Sequence, residues 1–455
     1  MSRSKYPEYK SSGVDWLGPV PSHWKIGPLK RRYEVCLGKM LQNDSSGAED
    51  SLKPYLRAAN IRWDGVDISD VKFMWFSPRD VENLRLQAGD LLVSEGGDVG
   101  RSAVWSNEMH ECYIQNSVNR IRAKALDSTK YLFYWMATIK SKGYIDVLCN
   151  KSTIAHFTAE KVAEVPTPFP PVVEQIAIAN FLDRETAKID ALIAEQEKLI
   201  ALLAEKRQAA ISHAVTRGLN PNSSMKESGV AWLGEVPAHW SITRLKYATD
   251  AIVDCPHETP VYDEAGSYRV IRTADVSEGR LHLDQMYSIA QPEFLLRIRR
   301  MSLEQNDIVY GREGERWGFA AQVPASERFC LGQRMMQFRA AAGINPRFLM
   351  WQLNAESTYR QGQVDTVGAT SPHVNVSTIR NYALTHPPVG EQEEISKFLD
   401  AETSRLDKLD AESARTITLL KERRSALIAA AVTGQIDLRS ATSPPTVKTP
   451  EAIAA

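Results

Sequence analysis

The chain has 455 residues, of which 43% are hydrophobic and 24% are charged, and its formal net charge is -1. This length supports two to four domains that each bury a core of their own. The small net charge excludes a chain covered throughout in basic residues, but it allows local basic surfaces. No apolar run approaches the roughly 18 residues of a membrane span, so we expect no membrane partner and a cytoplasmic location.

Five cysteines are scattered along the chain without any Cys-x-x-Cys pair. This usage predicts reduced thiols in the cytoplasm, and it argues against disulfides. Cys255 and His257 offer two potential metal ligands, but no second pair accompanies them. The sequence therefore predicts no metal site.

The first element is an entry segment, residues 1–23, and part of it occurs twice in the chain. VDWLGPVPSHWKIGPLK begins at Val14, and VAWLGEVPAHWSITRLK begins at Val230. Trp16, His23 and Trp24 each recur 216 positions later. We expect the apolar residues of this segment to pack a domain against a helix, with direct contact to a ligand as the minority alternative.

Four further stretches recur in the same order. They are YLRAANI with RVIRTADV, AGDLLVSEGGDVGR with QNDIVYGREGERWG, KSTIAHFTAEKVAEVPTPFPP with GATSPHVNVSTIRNYALTHPP, and EQIAIANFLDRET with EQEEISKFLDAET. Their order and spacing hold along the whole chain. The protein is thus an internal duplication of about 215 residues.

Residues 24–171, and residues 240–388 in the second copy, are broken into short apolar runs by Gly, Pro, Asn and Asp. LLVSE, YIQNSVNRIRA and DIVYGR are typical of strands, whereas KYLFYWMATIKS and PRFLMWQLNAES are typical of short helices. The mixture predicts two α+β globular domains, and a Pro-Pro pair closes each of them.

A long helical pattern follows each domain, in residues 172–218 and 389–438, and the repeated entry segment 219–239 lies between the copies. A heptad template fits both patterns and predicts two helices of about 40 residues and about 60 Å. We expect the helices to pair as an antiparallel coiled coil about a pseudo-two-fold axis, so that Glu185 meets Arg423 and Lys206 meets Glu402. The residues predicted to pair are Leu182, Glu185, Ile189, Leu192, Leu203, Lys206, Leu399, Glu402, Leu406, Leu409, Leu420 and Arg423. The tail 439–455 is predicted to be disordered.

Sequence patterns of common catalytic sites are missing from the chain. GGDVGRS, which begins at Gly96, lacks the lysine and the spacing of a phosphate-binding loop. HExxH, GxSxG, GxGxxG and an Asn/Asp-Pro-Pro-aromatic tetrapeptide do not occur. We therefore expect a non-catalytic protein that carries no cofactor of its own.

The WLGxVPxHW entry, the GDLL or NDIV strand with its glycine loop, and the PPxxEQxxIxxFLDxET start of each long helix resemble the specificity (S) subunit of type I restriction–modification systems. The resemblance extends from about Tyr6 to Leu438 and occurs in both halves. It implies two target recognition domains that each recognise one half of a bipartite target in double-stranded DNA, with the helices setting the gap between the halves. It also implies a complex with two modification (M) subunits and two restriction (R) subunits. That complex directs adenine-N6 methylation and restriction, and S-adenosylmethionine, ATP and Mg belong to the partner subunits.

Recognition of base edges requires polar or cationic side chains on projecting loops. In the first domain this criterion selects Arg57, Asn60, Arg101, Lys151, Ser152, Thr153 and His156. In the second domain it selects Arg272, Asp275, Arg312, Arg316, Thr370, Ser371 and His373. For each single residue, a solvated position without DNA contact is an equal alternative.

Two other classes of protein remain open at this point. A scaffold that holds two other proteins would also use duplicated domains on long helices, although it would not require the family-like segments. A stand-alone restriction–modification enzyme is the second alternative, and the missing catalytic motifs argue against it.

Overall fold

The computed structural model describes residues 4–149, 156–314, 316–324, 328–366 and 373–439. The chain divides into two compact units. Unit 1 contains residues 1–195 and 416–455, and unit 2 contains residues 196–415. Each unit therefore holds one globular domain together with a part of each long helix. Of the predicted disordered tail 439–455, residues 440–455 lie outside the described residues.

A four-stranded antiparallel sheet forms the centre of each domain. In unit 1 the spatial order is Ser102–Val104, Leu91–Ser94, Val118–Ala123 and Tyr33–Leu37. In unit 2 the order is Ala320–Gln322, Ile308–Gly311, Met335–Ala340 and Thr249–Asp254. The second strand of each sheet is fully buried, which explains its continuous apolar sequence.

A three-stranded sheet lies in each domain as well, with one parallel and one antiparallel pairing. Its strands are Tyr113–Ile114, Ser51–Leu56 and Lys72–Phe76 in unit 1. In unit 2 they are Phe329–Leu331, Tyr268–Ile271 and Tyr287–Ile289. The predicted strand YIQNSVNRIRA is thus two strands in two different sheets. The intervening Gln115–Ser117 turns the chain, because the amide of Val118 bonds back to the carbonyl of Gln115 at 2.9 Å.

Three two-stranded pairings complete each domain. They are Tyr9–Ser11 with Pro19–Pro21, Lys25–Pro28 with Pro166–Phe169, and Ile61–Arg62 with Gly65–Val66 in unit 1. Their counterparts are Met225–Glu227 with Glu235–Pro237, Ser241–Arg244 with Ala383–His386, and Val276–Ser277 with Arg280–Leu281 in unit 2. The pairing of Lys25–Pro28 with Pro166–Phe169 brings the start and the end of the domain together.

Short helices also match between the units. Unit 1 has Pro78–Leu84, Thr129–Ser141, Tyr144–Leu148 and Ala159–Ala163, and unit 2 has Gln291–Arg297, Pro346–Leu353, Glu356–Gln363 and Val376–Arg380. Thr129–Ser141 and Pro346–Leu353 begin where a polar side chain accepts a bond from the first turn. Ser128 accepts from the Tyr131 amide at 3.2 Å, and Asn345 accepts from the Arg347 amide at 2.9 Å. The predicted helix over KYLFYWMATIKS is confirmed, whereas the helix predicted over PRFLMWQLNAES ends at Leu353 and a second helix begins at Glu356.

Two long helices, spacer helix 1 (Val172–Arg217) and spacer helix 2 (Val389–Val432), follow the domains. In unit 1 the Arg424 Nε donates to Asp190 at 2.8 Å, and Ile178 shares a core with Ile428. In unit 2 Arg207 donates to Asp407 at 2.5 Å. Within each unit, later residues of one helix meet earlier residues of the other, so the predicted antiparallel pairing is confirmed.

The expected contact between Lys206 and Glu402 is present at 3.6 Å. Glu185 contacts Arg184 and Lys188 of its own helix, so its contact with Arg423, an exposed residue, stays a prediction. Among the residues predicted to pair, the following are buried: Leu182, Ile189, Leu203, Leu399 and Leu406. Leu420 is half-buried.

Leu192 and Leu409 occupy the same position in the two copies, and both are exposed, by 47% and 38%. The heptad template placed both in the helix pair, and the structure corrects this. The heptad series of spacer helix 1 that is buried or half-buried consists instead of Ile189, Ile193, Gln196, Ile200, Leu203 and Arg207. Residues 192 and 193 are both apolar, so the sequence alone does not show which of the two heptad phases is buried. Tertiary packing decides between them.

Candidate nucleic-acid interface

The repeated entry segment contacts the start of a long helix. In unit 1 the carboxylate of Glu174 accepts from Trp24 Nε1 at 3.1 Å and lies 2.9 Å from His23 Nε2, and it also bonds the hydroxyl of Tyr6. Trp24 is fully buried. The histidine and the tryptophan are therefore packing and anchoring residues, as the sequence predicted.

Unit 2 repeats this arrangement with the corresponding residues. Glu391 accepts from Trp240 Nε1 at 2.9 Å and lies 2.7 Å from His239 Nε2. The glutamine that follows each of these glutamates, Gln175 or Gln392, donates to a proline carbonyl at 2.9 Å at the end of its domain. The Glu-Gln pair of the PPxxEQ motif thus seats each domain on its helix.

The aspartate of the FLDxET motif makes a second anchor, which the sequence argument did not assign. Asp183 accepts from the Tyr134 hydroxyl at 2.7 Å. In unit 2 Asp400 accepts from Arg347 Nε at 2.8 Å and from Trp351 Nε1 at 2.9 Å. The signal was available, since the motif occurs twice, but the identity of the partners follows only from the fold.

Near the end of spacer helix 2 lies the N-terminal entry segment of unit 1. The Tyr9 hydroxyl donates to the Gly434 carbonyl at 3.0 Å, and the Asp437 amide donates to the Ser4 carbonyl at 2.9 Å. Gly434 corresponds to Gly218, which ends spacer helix 1 against Trp240. In unit 1 the N-terminal entry segment therefore adjoins the end of spacer helix 2.

Two loops that carry predicted DNA-binding residues are brought together in each domain. In unit 1 the Arg101 guanidinium donates to the Ala58 carbonyl at 2.8 Å, which ties the glycine loop to the short 3-10 turn after Arg57. In unit 2 Arg316 donates to the Ala274 carbonyl at 3.1 Å and ties the matching loops. We call each combination of turn and loop the paired-loop surface: residues 57–60 with 96–101, and residues 272–275 with 312–314 and 316.

Asn60 and Asp275 are buried within these turns, and this corrects their predicted role. The Asn60 side chain accepts from the Arg57 amide at 3.0 Å and donates to the Asp67 carbonyl at 2.8 Å. Asp275 accepts from the Arg272 amide at 2.8 Å and from its guanidinium at 2.6 Å. With almost no exposed surface, both side chains hold the turn in shape and leave base contact to their neighbours.

Arginines on the two surfaces have different environments. Arg57 is partly exposed and forms an ion pair with Asp70, which also pairs with Lys72. Hydrogen bonds to Asp275 raise the pKa of Arg272 above its usual range, and its guanidinium lies 3.6 Å from the ring centre of Tyr287. Arg272 is therefore a charged group held in a fixed position beside an exposed ring.

Arg312 is buried and bonded to Glu313, with Asp254 at 3.5 Å, which corrects its expected projection from a loop. In the first domain the matching position carries Glu95, whose carboxylate lies 3.9 Å from the exposed His156. Burial raises the pKa of Glu95, although His156 opposes the shift. His373 is half-buried and pairs through its backbone with Glu313. Lys151, Ser152, Thr153, Thr370 and Ser371 lie outside the described residues.

All five cysteines are free, and burial raises the pKa of Cys112 and of Cys330 to about 12. Within the ranges that the structure describes, no group of three or more His, Cys, Asp or Glu side chains is arranged to hold a metal ion. In the same ranges, no helix combines the length and the apolar character that a membrane span requires.

Two copies of one α+β domain, each seated on the long helices by the same Glu-Gln and Asp contacts, define a class of duplicated recognition proteins with helical spacers. Two solved structures share this fold. One belongs to a study titled "Structural basis underlying complex assembly and conformational transition of the type I R-M system" and aligns with a TM-score of 0.62 and 15% identity over 91% of this chain and 98% of that one. The HsdS subunit from Thermoanaerobacter tengcongensis aligns with a TM-score of 0.53 and 15% identity over 92% and 98%.

Residues 42–201 and 256–418 match the family model of the type I restriction modification DNA specificity domain. Two similar relatives are the type I restriction enzyme EcoKI specificity subunit of Escherichia coli, 20% identical over 92% of this chain and 90% of its own, and the MjaVIII specificity subunit of Methanocaldococcus jannaschii, 22% identical over 87% and 91%. The chain belongs to the type I restriction–modification DNA specificity family. The resemblance predicted from the sequence motifs is confirmed.

Proposed function

We propose that this protein is the non-catalytic specificity subunit of a type I restriction–modification complex, and that each domain recognises one half of a bipartite DNA target. The family match in both halves of the chain carries the proposal. Family members of similar length are named as specificity subunits. The paired-loop surface of each domain supplies the fixed cationic groups that contact with phosphates and base edges requires.

The two paired-loop surfaces support recognition of two different half-sites. Their backbone turns are the same, since each has a short 3-10 helix capped by a buried Asn or Asp. The side chains beside these turns differ, because the neighbouring strand carries Lys72 in the first domain and the exposed Tyr287 at the same position in the second. A shared frame with unlike polar groups is what recognition of two unlike base sequences needs.

Partner subunits complete the proposed assembly. Exposed apolar side chains occur along both spacer helices, among them Ile176, Leu199, Leu202, Phe398 and Leu419. Such side chains favour contact with further protein, and we assign them to two M subunits, with two R subunits in the full complex. S-adenosylmethionine, ATP and Mg would then be bound by those partners in the cytoplasm.

Mapping of N6-methyladenine tests this function directly. DNA is compared from cells that carry this gene together with its M subunit gene and from cells that lack it. The expected result is a new methylated motif made of two short half-sites around a fixed gap. If the M subunit is present and active with another specificity subunit but no new motif appears, the proposal is contradicted.

A further inference from the structure

An unusual charged cluster joins the second domain to both spacer helices. Arg207 of spacer helix 1 donates to the Glu278 carboxylate at 2.9 Å, to the Glu278 carbonyl at 2.8 Å and to Asp407 of spacer helix 2 at 2.5 Å. Arg280 also contacts Asp407, at 2.5 Å. We call these four residues the Arg207 cluster. The Arg207 side chain is only 11% exposed, so the contacts are largely shielded from solvent.

Glu278 belongs to a hairpin that lies next to the paired-loop surface. The hairpin pairs Val276–Ser277 with Arg280–Leu281, directly after the turn Thr273–Asp275. At its tip, Gly279 has a φ of +77°, and a Cβ there would lie 2.6 Å from Trp351. The hairpin is therefore held between the domain core and the helices, and it connects the turn of the paired-loop surface to Arg207.

Unit 1 contains the matching hairpin but seats it differently. Asp190 and Arg424 correspond to Asp407 and Arg207 and pair at 2.8 Å. The position of Glu278 is taken by Trp63, which packs beside Phe133 and lines a cavity of about 240 Å³ with Arg424 and Ile428. The hairpin of the first domain thus places an apolar ring at a cavity beside its helix, and that of the second domain contacts its helices through charges.

Stability alone does not explain Glu278. Burial raises the pKa of Glu278, and the pairing with Arg207 opposes this shift. Because its pKa is raised in the folded state, the ionised Glu278 carboxylate lowers the free energy of unfolding. This loss of stability increases as the pH rises through the folded-state pKa. Directional bonds of a buried ion pair still restrict orientation, even where they add little stability.

We propose that the Arg207 cluster fixes the seating of the second recognition domain on the spacer helices and so determines which gap between half-sites the protein accepts. Glu278 is a positioning residue in this proposal, which rests on the proposed function. One added base pair moves a half-site by about 3.4 Å along the duplex and rotates it by roughly 35°. A domain held by two directional bonds from a guanidinium that is itself bonded to the second spacer helix resists such a displacement, whereas a domain without them tolerates it.

Glu278→Ala and Glu278→Gln are expressed with the M subunit, and methylation is measured at sites that keep both native half-sites but have gaps one base pair shorter or longer. Asp64→Ala is the matched control, since Asp64 is an exposed acid in the hairpin of unit 1 for which the described part of the chain shows no ion pair. We expect both Glu278 variants to keep the half-site sequences and to raise methylation at the altered gaps by roughly tenfold. The control should retain the wild-type gap.

Thermal unfolding separates positioning from loss of structure. We expect Glu278→Gln to unfold at the wild-type temperature while its gap distribution broadens. A Glu278→Gln protein that is folded and methylates only the wild-type gap would overturn the inference and leave the proposed function intact. If the wild-type protein itself directs methylation to no bipartite motif, the proposed function fails and the inference fails with it.

Discussion

Glu174 and Glu391 illustrate how single carboxylates link a domain to its helix. Each accepts from a buried indole N–H and contacts a histidine, and Glu174 also bonds Tyr6. A buried donor without an acceptor costs free energy, so the tryptophan of the entry segment requires its glutamate. This requirement explains why the Trp-rich entry segment and the PPxxEQ motif both occur twice.

Removal of the Glu174 carboxylate should destabilise the chain more than removal of its counterpart. We expect Glu174→Ala to lower the free energy of unfolding by about 2–3 kcal/mol, because it strands the indole N–H and the Tyr6 hydroxyl. Glu391 is more exposed, so Glu391→Ala should lower the free energy of unfolding by only about 1 kcal/mol. Urea denaturation of the two variants measures the difference. Equal losses would contradict the assigned roles.

Low pH should reduce the contribution of Glu402 to the stability of the fold. The hydrogen bond from Arg405 lowers the pKa of Glu402, and Lys206 lowers it further. A lowered folded-state pKa adds stability above the unfolded value of about 4.3, and this stability is lost as the pH falls through the folded-state pKa. We therefore expect Glu402→Gln to show a smaller loss of stability below about pH 4.3 than the wild type. Glu394→Gln, an exposed change on the same helix, is the control in pH-dependent denaturation.

Among the elements, the spacer helices provide the sharpest test of packing. Leu399 is buried, and Leu192 is exposed despite the heptad template. Leu399→Ala should lower the free energy of unfolding by about 2–5 kcal/mol, as expected for a buried leucine. Leu192→Ala should change it by less than about 0.5 kcal/mol. Similar losses in denaturation curves would favour the heptad phase that the sequence predicted.

The ends of the spacer helices depend on glycine. Gly434 has a φ of +73°, and a Cβ there would lie 2.3 Å from Pro21; Gly218 has a φ of +74° and more space. We expect Gly218→Ala to cost about 1–2 kcal/mol through backbone strain. Gly434→Ala should cost more, since the strain is joined by a clash with the entry segment. Gly229→Ala, with a similar φ in open space, separates strain from clash when thermal unfolding is compared.

Because the chain is duplicated, each of its two domains is assigned to one half of the DNA target. Arg101 and Arg316 each tie the loops of their own paired-loop surface. Arg101→Ala should therefore broaden the sequence accepted in one half-site, and Arg316→Ala should broaden the other, with losses of about 1–3 kcal/mol at the affected positions. Sequencing of methylated DNA reports each half of the motif independently. A variant that relaxes both halves equally would contradict the assignment of one domain to one half-site.

Much of this organisation follows from the sequence alone, because a duplication of about 215 residues is visible as repeated sequence motifs. The two α+β domains, the two long helices and the family follow from repeated motifs and from heptad spacing. Burial of Trp24 and Trp240 also follows, since apolar rings in a repeated segment are typical of packing. These properties depend on local pattern, which a sequence contains in full.

Tertiary structure decided the points that depend on which side chain meets which. Heptad letters allowed two phases at residues 192 and 193, and packing selected Ile193. Asn60, Asp275 and Arg312 are polar residues on loops, yet their side chains are buried in hydrogen bonds or ion pairs. The Arg207 cluster joins residues 200 positions apart. Such contacts arise only when the folded chain brings distant segments together, so no local pattern determines them.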